Sequence, residues 1–514
     1  MSEEAIPAPN ARWRVAAAYL VGSLPVLAIA LGIYWRTLLP DVGLWDTAEM
    51  QTVGAVLGIA HPTGYPTYTL LAWLASVLLQ PFGNEAYRAD LLSALAMAGA
   101  ASLLALRTVM ATRRVAAGLV AGLAFALTPV AWHWGVRADP HALHVFLAAV
   151  LLVLMGLWQA REVRVEGSGS RWLMAAALVY GLSLGNHALT LLLAPGIAAF
   201  VLLVSPRILW RQWRLVLASA AVLALAAALV YLYLPLRAAM GPPLEYAHPA
   251  SWEGFWYVVM GQQFQGSFGP LPDIAGITTA VWGELVHDLG PLALLAVAGL
   301  VAGLVRHPRL TVLGLLWFGC TWLFALGYPN AQIDRYYLVP LLVAGLWIGL
   351  AVDLASDALA WLLLGRIRLA PTSLVAAVGA GVLVMVLGPA LGRFEAMDAS
   401  GEDAGRQYLE ATLGAVDRDA LIISWWSLST PLWYGQYVEG QRPDVTVLDD
   451  RDILDQGYGS ASTAIEAYLG RRPVYVIRLE DDRRRLAETY RLTPVPGAPA
   501  DLYRVEEPSA EGER

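Results

Sequence analysis

Runs of about twenty predominantly apolar residues recur from residue 15 to residue 391, which leaves this chain few ways to fold. Inside hydrocarbon every backbone N–H and C=O must be paired within the protein, so such runs become helices. We place spans near residues 15–34, 87–110, 115–131, 141–159, 172–186, 189–204, 214–234, 290–305, 310–327, 336–355 and 372–391. Of the 514 residues 58% are hydrophobic and only 15% charged, a balance outside that of ordinary soluble domains. The expected fold class is mainly α, a polytopic membrane protein of about eleven transmembrane helices spanning residues 1–392.

Arginine is the only strong cation, for the chain contains no lysine. Alternate connections hold Arg12 and Arg14; Arg107, Arg113 and Arg114; Arg161, Arg164 and Arg171; Arg207, Arg211 and Arg214; Arg306 and Arg309; Arg366 and Arg368. The opposite connections hold only Arg36, Arg88, Arg137, Arg237 and Arg335, so the ratio is 15 to 5. That bias predicts a cytoplasmic N-terminus. No small-x-small site follows the first run at Tyr34-Trp35-Arg36, so we read it as an uncleaved signal anchor. The single Cys320 lies in an apolar run and excludes a disulfide framework. A net charge of −7 names no partner, no phosphate-binding glycine loop is present, and no nucleic acid is expected.

With this orientation the polar chemistry gathers on the outer side. The richest stretch is the loop 40–66, which carries Asp46 and Glu49 and ends in His61-Pro62-Thr63-Gly64-Tyr65-Pro66. A helix starting there puts both acids on one face and an apolar stripe on another, suited to lying along the membrane surface. The spacing also fits a capping box, with Asp46 at the cap and Glu49 reaching back. Acids at a membrane edge in a charge-poor chain favour a functional reading.

Arg237 ends one span and Arg335 begins another, beside Tyr336. Both stand where a lipid phosphate would lie, and arginine suits phosphate through charge and paired donors. Snorkelling, or a local pair between Arg335 and Asp334, is the plainer account. Asp139, His141 and His144 permit a metal site, although Asp139-Pro140 also reads as a helix cap followed by proline at the first helical position. His187, in Gly185-Asn186-His187, either contacts a ligand or completes a turn. Trp252, Trp256, Trp425, Trp426 and Trp433 suit sugar stacking or an interfacial belt.

Residues 393–514 change character. Short apolar runs at 420–424, 445–448, 474–477 and 502–505 alternate with helical patterns near 402–414, 431–440 and 461–469. A small extracytoplasmic α/β domain is expected, as a lid or acceptor-binding module, and it shows no active-site signature of its own.

With those residues laid out, the chain resembles the GT-C class of integral-membrane glycosyltransferases, and within it the protein O-mannosyltransferase-like family widespread in bacteria and represented in animals. The resemblance rests on Asp46-Thr47-Ala48-Glu49, His61-Pro62-Thr63-Gly64-Tyr65-Pro66, the segment 181–187, Tyr233-Leu234-Pro235-Leu236-Arg237 and Arg335-Tyr336-Tyr337-Leu338-Val339-Pro340. It departs where the family usually has Ala-Glu-Val-Tyr after a tryptophan: here Asp139 stands for Glu and His141 near the Tyr position.

The resemblance implies an inverting transfer of a mannose-like hexose from a polyprenyl-phosphate donor to a protein hydroxyl outside the cytoplasm of a bacterial plasma membrane. It implies Asp46 as general base and Glu49 as its partner or the acceptor's. Arg237 and Arg335 would bind the lipid phosphate, while His61, Tyr65, Asp139, His187 and Tyr336 line the cavity. No cofactor is expected, and the scheme does not require a divalent metal. Transfer to a glycolipid acceptor, and a lipid-linked-sugar transporter without chemistry, are the alternatives. The gathering of polar residues on one face and the lack of an internal repeat weigh against the transporter.

Overall fold

The structure, a computed structural model, describes residues 9–363 and 371–507; Arg366 and Arg368 lie outside the described residues. The chain opens with α1 (Pro9–Arg36), α2 (Trp45–Val56), α3 (Pro66–Leu78), α4 (Glu85–Thr112), α5 (Val115–Ala126), α6 (Pro129–Gly135) and α7 (Pro140–Glu162). α4 is the central post, packed by α1, α5 and α7. Its Ala94, Ala98, Ala101 and Ala105 are fully buried, and small residues at this spacing let neighbouring helices approach closely. The proline-containing helix Leu338–Leu363 is buried from Leu338 to Asp353 and closes the bundle against α5.

Each of the eleven expected apolar runs is helical, but the number of spans is smaller. Among the described residues seven helices are long and apolar enough to cross a membrane, or nine if two bent pairs each count once. One bend, of 69°, separates α5 from α6 at Pro129; the other, of 115°, separates Ile274–Leu289 from Leu292–Arg306 at Gly290-Pro291. Proline and a positive-φ glycine end helices for lack of a donor and of a helical φ. The runs 172–186 and 189–204 fall on the shorter apolar helices Ser170–Leu184 and Ala188–Val204, and α3 is a third short helix that the spacing did not separate from its loop. The connection between the expected spans 214–234 and 290–305 also contains the helices Trp252–Val259 and Ile274–Leu289.

The C-terminal segment forms one five-stranded sheet from β1 (Leu421–Ser424), β2 (Thr446–Leu448), β3 (Val474–Ile477), β4 (Arg491–Pro494) and β5 (Leu502–Glu506), in the order β2-β1-β3-β5-β4. β2, β1 and β3 are parallel, with Leu421 opposite Thr446 and Val474; β5 and β4 run antiparallel. β1 and β3 are buried at every position, as unbroken apolar strands in a covered sheet must be. The expected strands are all present. β4 escaped notice because it is an edge strand of mixed polarity ending at Pro494.

This segment packs onto the loop that carries the acids. Leu409, Trp433 and Tyr434 share one apolar cluster with Ala48, Met50 and Val53 of α2. Arg406 clamps the join, with Nε 2.9 Å from Asp41 Oδ2 and Nη1 2.7 Å from Glu439 Oε2. α2 is therefore buried from Asp46 to Gly54 and does not lie on a membrane surface. Its apolar stripe is covered by protein.

Candidate active site

α2 begins without a side-chain cap, since Leu44 holds the cap position, so the capping box is not formed. Asp46 and Glu49 instead point inward from one face, and each has a different partner. Glu49 Oε1 accepts from the His61 backbone N–H at 2.8 Å, and its Oε2 meets His61 Nδ1. The turn 61–64 presents the imidazole, whose Nε2 lies 3.0 Å from the Tyr65 hydroxyl. Tyr65 holds φ at +45° just before Pro66 opens α3, a costly conformation for an aromatic residue, kept by its packed surroundings. Burial alone would depress the His61 imidazole; the Glu49 carboxylate, with Asp46 beyond it, nevertheless holds its pKa above the usual 6.5. Burial, then the nearby Tyr336 and the Asp46 and Glu49 carboxylates, raise the Tyr65 phenol well above its ordinary value against the opposing Arg335.

Asp46 Oδ2 lies 2.5 Å from Arg335 Nη2, and Asp139 Oδ2 lies 3.0 Å from Arg335 Nη1. The guanidinium thus bridges two carboxylates from distant segments, and its Cζ sits 5.5 Å from the Trp134 ring centre. The local partner considered for it, Asp334, accepts from Trp134 Nε1 instead at 2.9 Å. Arg335 Nε is buried with no partner among the described residues.

Asp139 does two jobs. It caps α7, accepting from the His141 N–H at 2.6 Å with Pro140 at the first helical position, and it faces the site through its other oxygen. Its Oδ1 also lies 2.8 Å from His141 Nδ1. The Asp139–His141–His144 metal grouping does not assemble, because His144 Nδ1 turns to the Thr190 hydroxyl, 3.5 Å away. Among the described residues the three-ligand group is Glu284, His287 and Asp288, well removed in sequence. His187 caps the next short turn, accepting from Leu189 N–H at 3.1 Å, and its ring lies 4.4 Å from that of His141. Burial, with His141 and His144 beside it, holds the His187 pKa well below the usual histidine value.

Asp46, His61, Tyr65, His187, Arg335 and Tyr336 line one cavity of about 560 Å³. Glu49 and Asp139 stand behind its wall. Arg237, expected at the lipid phosphate, is elsewhere: its Nε donates to Leu57 O at 2.6 Å and its Nη2 to Val56 O at 3.1 Å, closing the C-terminus of α2. Of the tryptophans considered for sugar stacking, Trp425 and Trp426 line this cavity, beside Phe264, which the sequence reading missed. Trp425-Trp426 was a visible signal, but nothing in the sequence placed it against residues 380 positions upstream. It also missed Asp90, which accepts from Gln51 Nε2 at 3.0 Å and from Ala138 N–H at 2.7 Å, tying α2 to the turn before Asp139.

Residues 46–209 match the model of the protein O-mannosyl-transferase TMEM260 N-terminal domain. The protein O-mannosyl-transferase TMEM260 of Mus musculus is 33% identical over 231 residues, 44% of this chain and 31% of its own length. The chain thus spans about a third of that relative. Across 96% of the chain and 98% of theirs, the fold matches ArnT from Cupriavidus metallidurans bound to undecaprenyl phosphate, at TM-score 0.55 and 15% identity. AglB, the archaeal oligosaccharyltransferase from Archaeoglobus fulgidus, solved with an inhibitory peptide and a dolichol-phosphate, matches at TM-score 0.54 and 15% identity over 95% of this chain and 74% of its own. On a GT-C-like helical fold, the stretch that carries Asp46, His61, Asp139 and His187 is therefore similar to the N-terminal domain of the protein O-mannosyl-transferases.

Proposed function

We propose that the chain is a membrane glycosyltransferase that moves a mannose-like hexose from a polyprenyl-phosphate donor to a protein hydroxyl. The observation that carries this reading is the juxtaposition of the Asp46 carboxylate and the Arg335 guanidinium, 2.5 Å apart on the wall of one cavity. Such a transfer needs a base at the acceptor and positive charge where the leaving phosphate gathers its electrons. Asp46 takes the hydroxyl proton as the acceptor oxygen bonds to the sugar C1. The bond from C1 to the phosphate oxygen breaks, and polyprenyl phosphate departs with the electron pair. A single displacement inverts C1.

Arg335, with His61 on the same cavity wall, faces the departing phosphate, and the buried unpartnered Arg335 Nε adds a donor there. Glu49 positions His61, and Asp139 positions Arg335. The rings of Tyr65, Tyr336, Trp425 and Trp426 offer flat apolar faces to the sugar. The scheme draws its positive charge from side chains and contains no metal. The arginine bias supports an extracytoplasmic cavity, with the described C-terminal segment, residues 393–507, on the same side forming the acceptor-facing wall. ArnT and AglB carry the same class of lipid in their structures.

The test is release of free polyprenyl phosphate from labelled polyprenyl-phosphate-mannose by the purified chain, with membrane extract as acceptor source. Wild type releases it and Asp46→Asn falls by a factor of ~10² or more. Equal rates for both would remove Asp46 as the base. If no hexose is transferred by wild type, yet the lipid-sugar crosses a bilayer equally with both proteins, the transporter reading replaces this one.

A further inference from the structure

A second cavity, of about 520 Å³, lies at the other end of the bundle. α4 links the two: Asp90 belongs to the active-site end and Arg107 to this one, about 25 Å away at ~1.5 Å per residue. Its walls carry Arg107, Arg113, Arg164, Arg306 and Arg309 together with His307, and among the described residues no Asp or Glu lines it. Part of this charge is already matched. Arg306 binds Asp353 and Asp357, and Arg113 donates to the Tyr19 hydroxyl at 2.6 Å.

Arg107 is different. It is only 4% exposed, sits more than a turn inside α4, and has no carboxylate or carbonyl partner among the described residues; its Nε is buried and unsatisfied. Charges of the positive-inside kind need only stand at a turn surface, where water solvates them. A buried guanidinium without an anion is costly, and it survives where a ligand or counter-charge completes it. The opposing wall is shaped for it. A Cβ at Gly156 would stand 2.8 Å from Arg107 Nε and 3.2 Å from its guanidinium carbon, so the absent side chain lets the group lie against α7 as it does.

We propose that this cavity is a binding site for a phosphate-bearing anion, held by Arg107 and Arg309 with Arg164 and Arg113 at the rim. Arginine forks match the geometry of phosphate oxygens, and basic pockets between helices at the cytoplasmic face suit anionic headgroups. The same chemistry is offered by a lipid headgroup and by soluble phosphate. The site is independent of the transfer reaction, and its ligand does not touch the residues of the first cavity.

The experiment uses the purified full chain in neutral detergent. It is titrated separately with inorganic phosphate, short-chain phosphatidylglycerol and phosphatidylcholine, following thermal unfolding and lipid retention by native mass spectrometry. Phosphatidylglycerol or inorganic phosphate binds and stabilises wild type while phosphatidylcholine does not. Arg107→Gln and Arg309→Gln each weaken the apparent affinity at least tenfold, and Arg207→Gln, an exposed arginine outside the cavity, leaves it within twofold. Binding of the lipid but not of inorganic phosphate identifies a headgroup, and the reverse identifies a soluble phosphate. The proposal is overturned if neither anion binds, if Arg207→Gln weakens binding as much as the cavity variants, or if the cavity variants bind like wild type. Should Arg107→Gln not fold, Arg309→Gln decides.

Discussion

Arg335 sets the electrostatics of the active site, since two buried carboxylates depend on it. Replacing it by methionine strands Asp46 and Asp139, and losing one member of a buried ion-pair network costs roughly 3–5 kcal/mol. The expected outcome is a large fall in the unfolding midpoint, partly recovered by adding Asp139→Asn and accompanied by no return of phosphate release. Arg335→Lys keeps the charge but offers a point donor in place of a fork, so it holds one carboxylate at a time and loses turnover with a smaller stability cost. His61 gives a pH signature. Its folded pKa is raised, so the stability it contributes is fully present below pH 6.5 and is lost as pH rises through the folded value. Unfolding measured from pH 6 to pH 9 should show wild type losing stability relative to Glu49→Gln, whose His61 has no carboxylate; parallel curves would remove the pair from the account. Asp46, Glu49 and His61 were legible in sequence because their relation is local. The bridge from Arg335 to Asp46 and Asp139 was not, for it joins three segments whose approach depends on helix packing.

At the scale of elements, α2 shows how a correct helix can be given the wrong neighbours. Spacing located it and its inward acidic face, and the same spacing showed an apolar stripe. A stripe tells that something apolar covers it, and cannot say whether that is lipid or the segment 404–438. Arg237 shows the converse. Its position at a span end suited a lipid phosphate, yet the structure gives its donors to the last carbonyls of α2, where a cation also opposes the helix dipole. Arg237→Ala should therefore destabilise the protein by about 1–3 kcal/mol, the range for hydrogen bonds from a charged group. It should leave the KM for the lipid-sugar within a factor of two. A tenfold rise in that KM with unchanged stability would return Arg237 to the phosphate.

For the whole molecule, the question is how a sheet formed by residues 421–506 comes to finish a cavity begun at residue 46. The sheet itself was readable as alternating short strands and helices, but its docking was not, because the apolar cluster with α2, the close-packed small residues and the ion pairs that fix it join segments far apart in sequence. The closest of these is Gly405, on the helix Ala404–Ala415: a Cβ there would collide with the backbone carbonyls of Val42 and Gly43. Backbone cannot yield as a side-chain tip does, so Gly405→Ala should lift this helix from the loop and loosen the Arg406–Asp41 clamp beside it. It should also draw Trp425 and Trp426 from the wall, at a cost of about 1–3 kcal/mol for the overpacking. Gly414 lies on the same helix with nothing within 4 Å of its would-be Cβ, and alanine there should gain up to ~1 kcal/mol from helix propensity alone. The paired comparison separates docking from folding. If the tail completes the site, Gly405→Ala lowers phosphate release severalfold more than its loss of stability explains, and Gly414→Ala releases phosphate like wild type. If the two variants differ in stability but release phosphate equally well when folded, the cavity works without its C-terminal wall, and the tail is a support for α2.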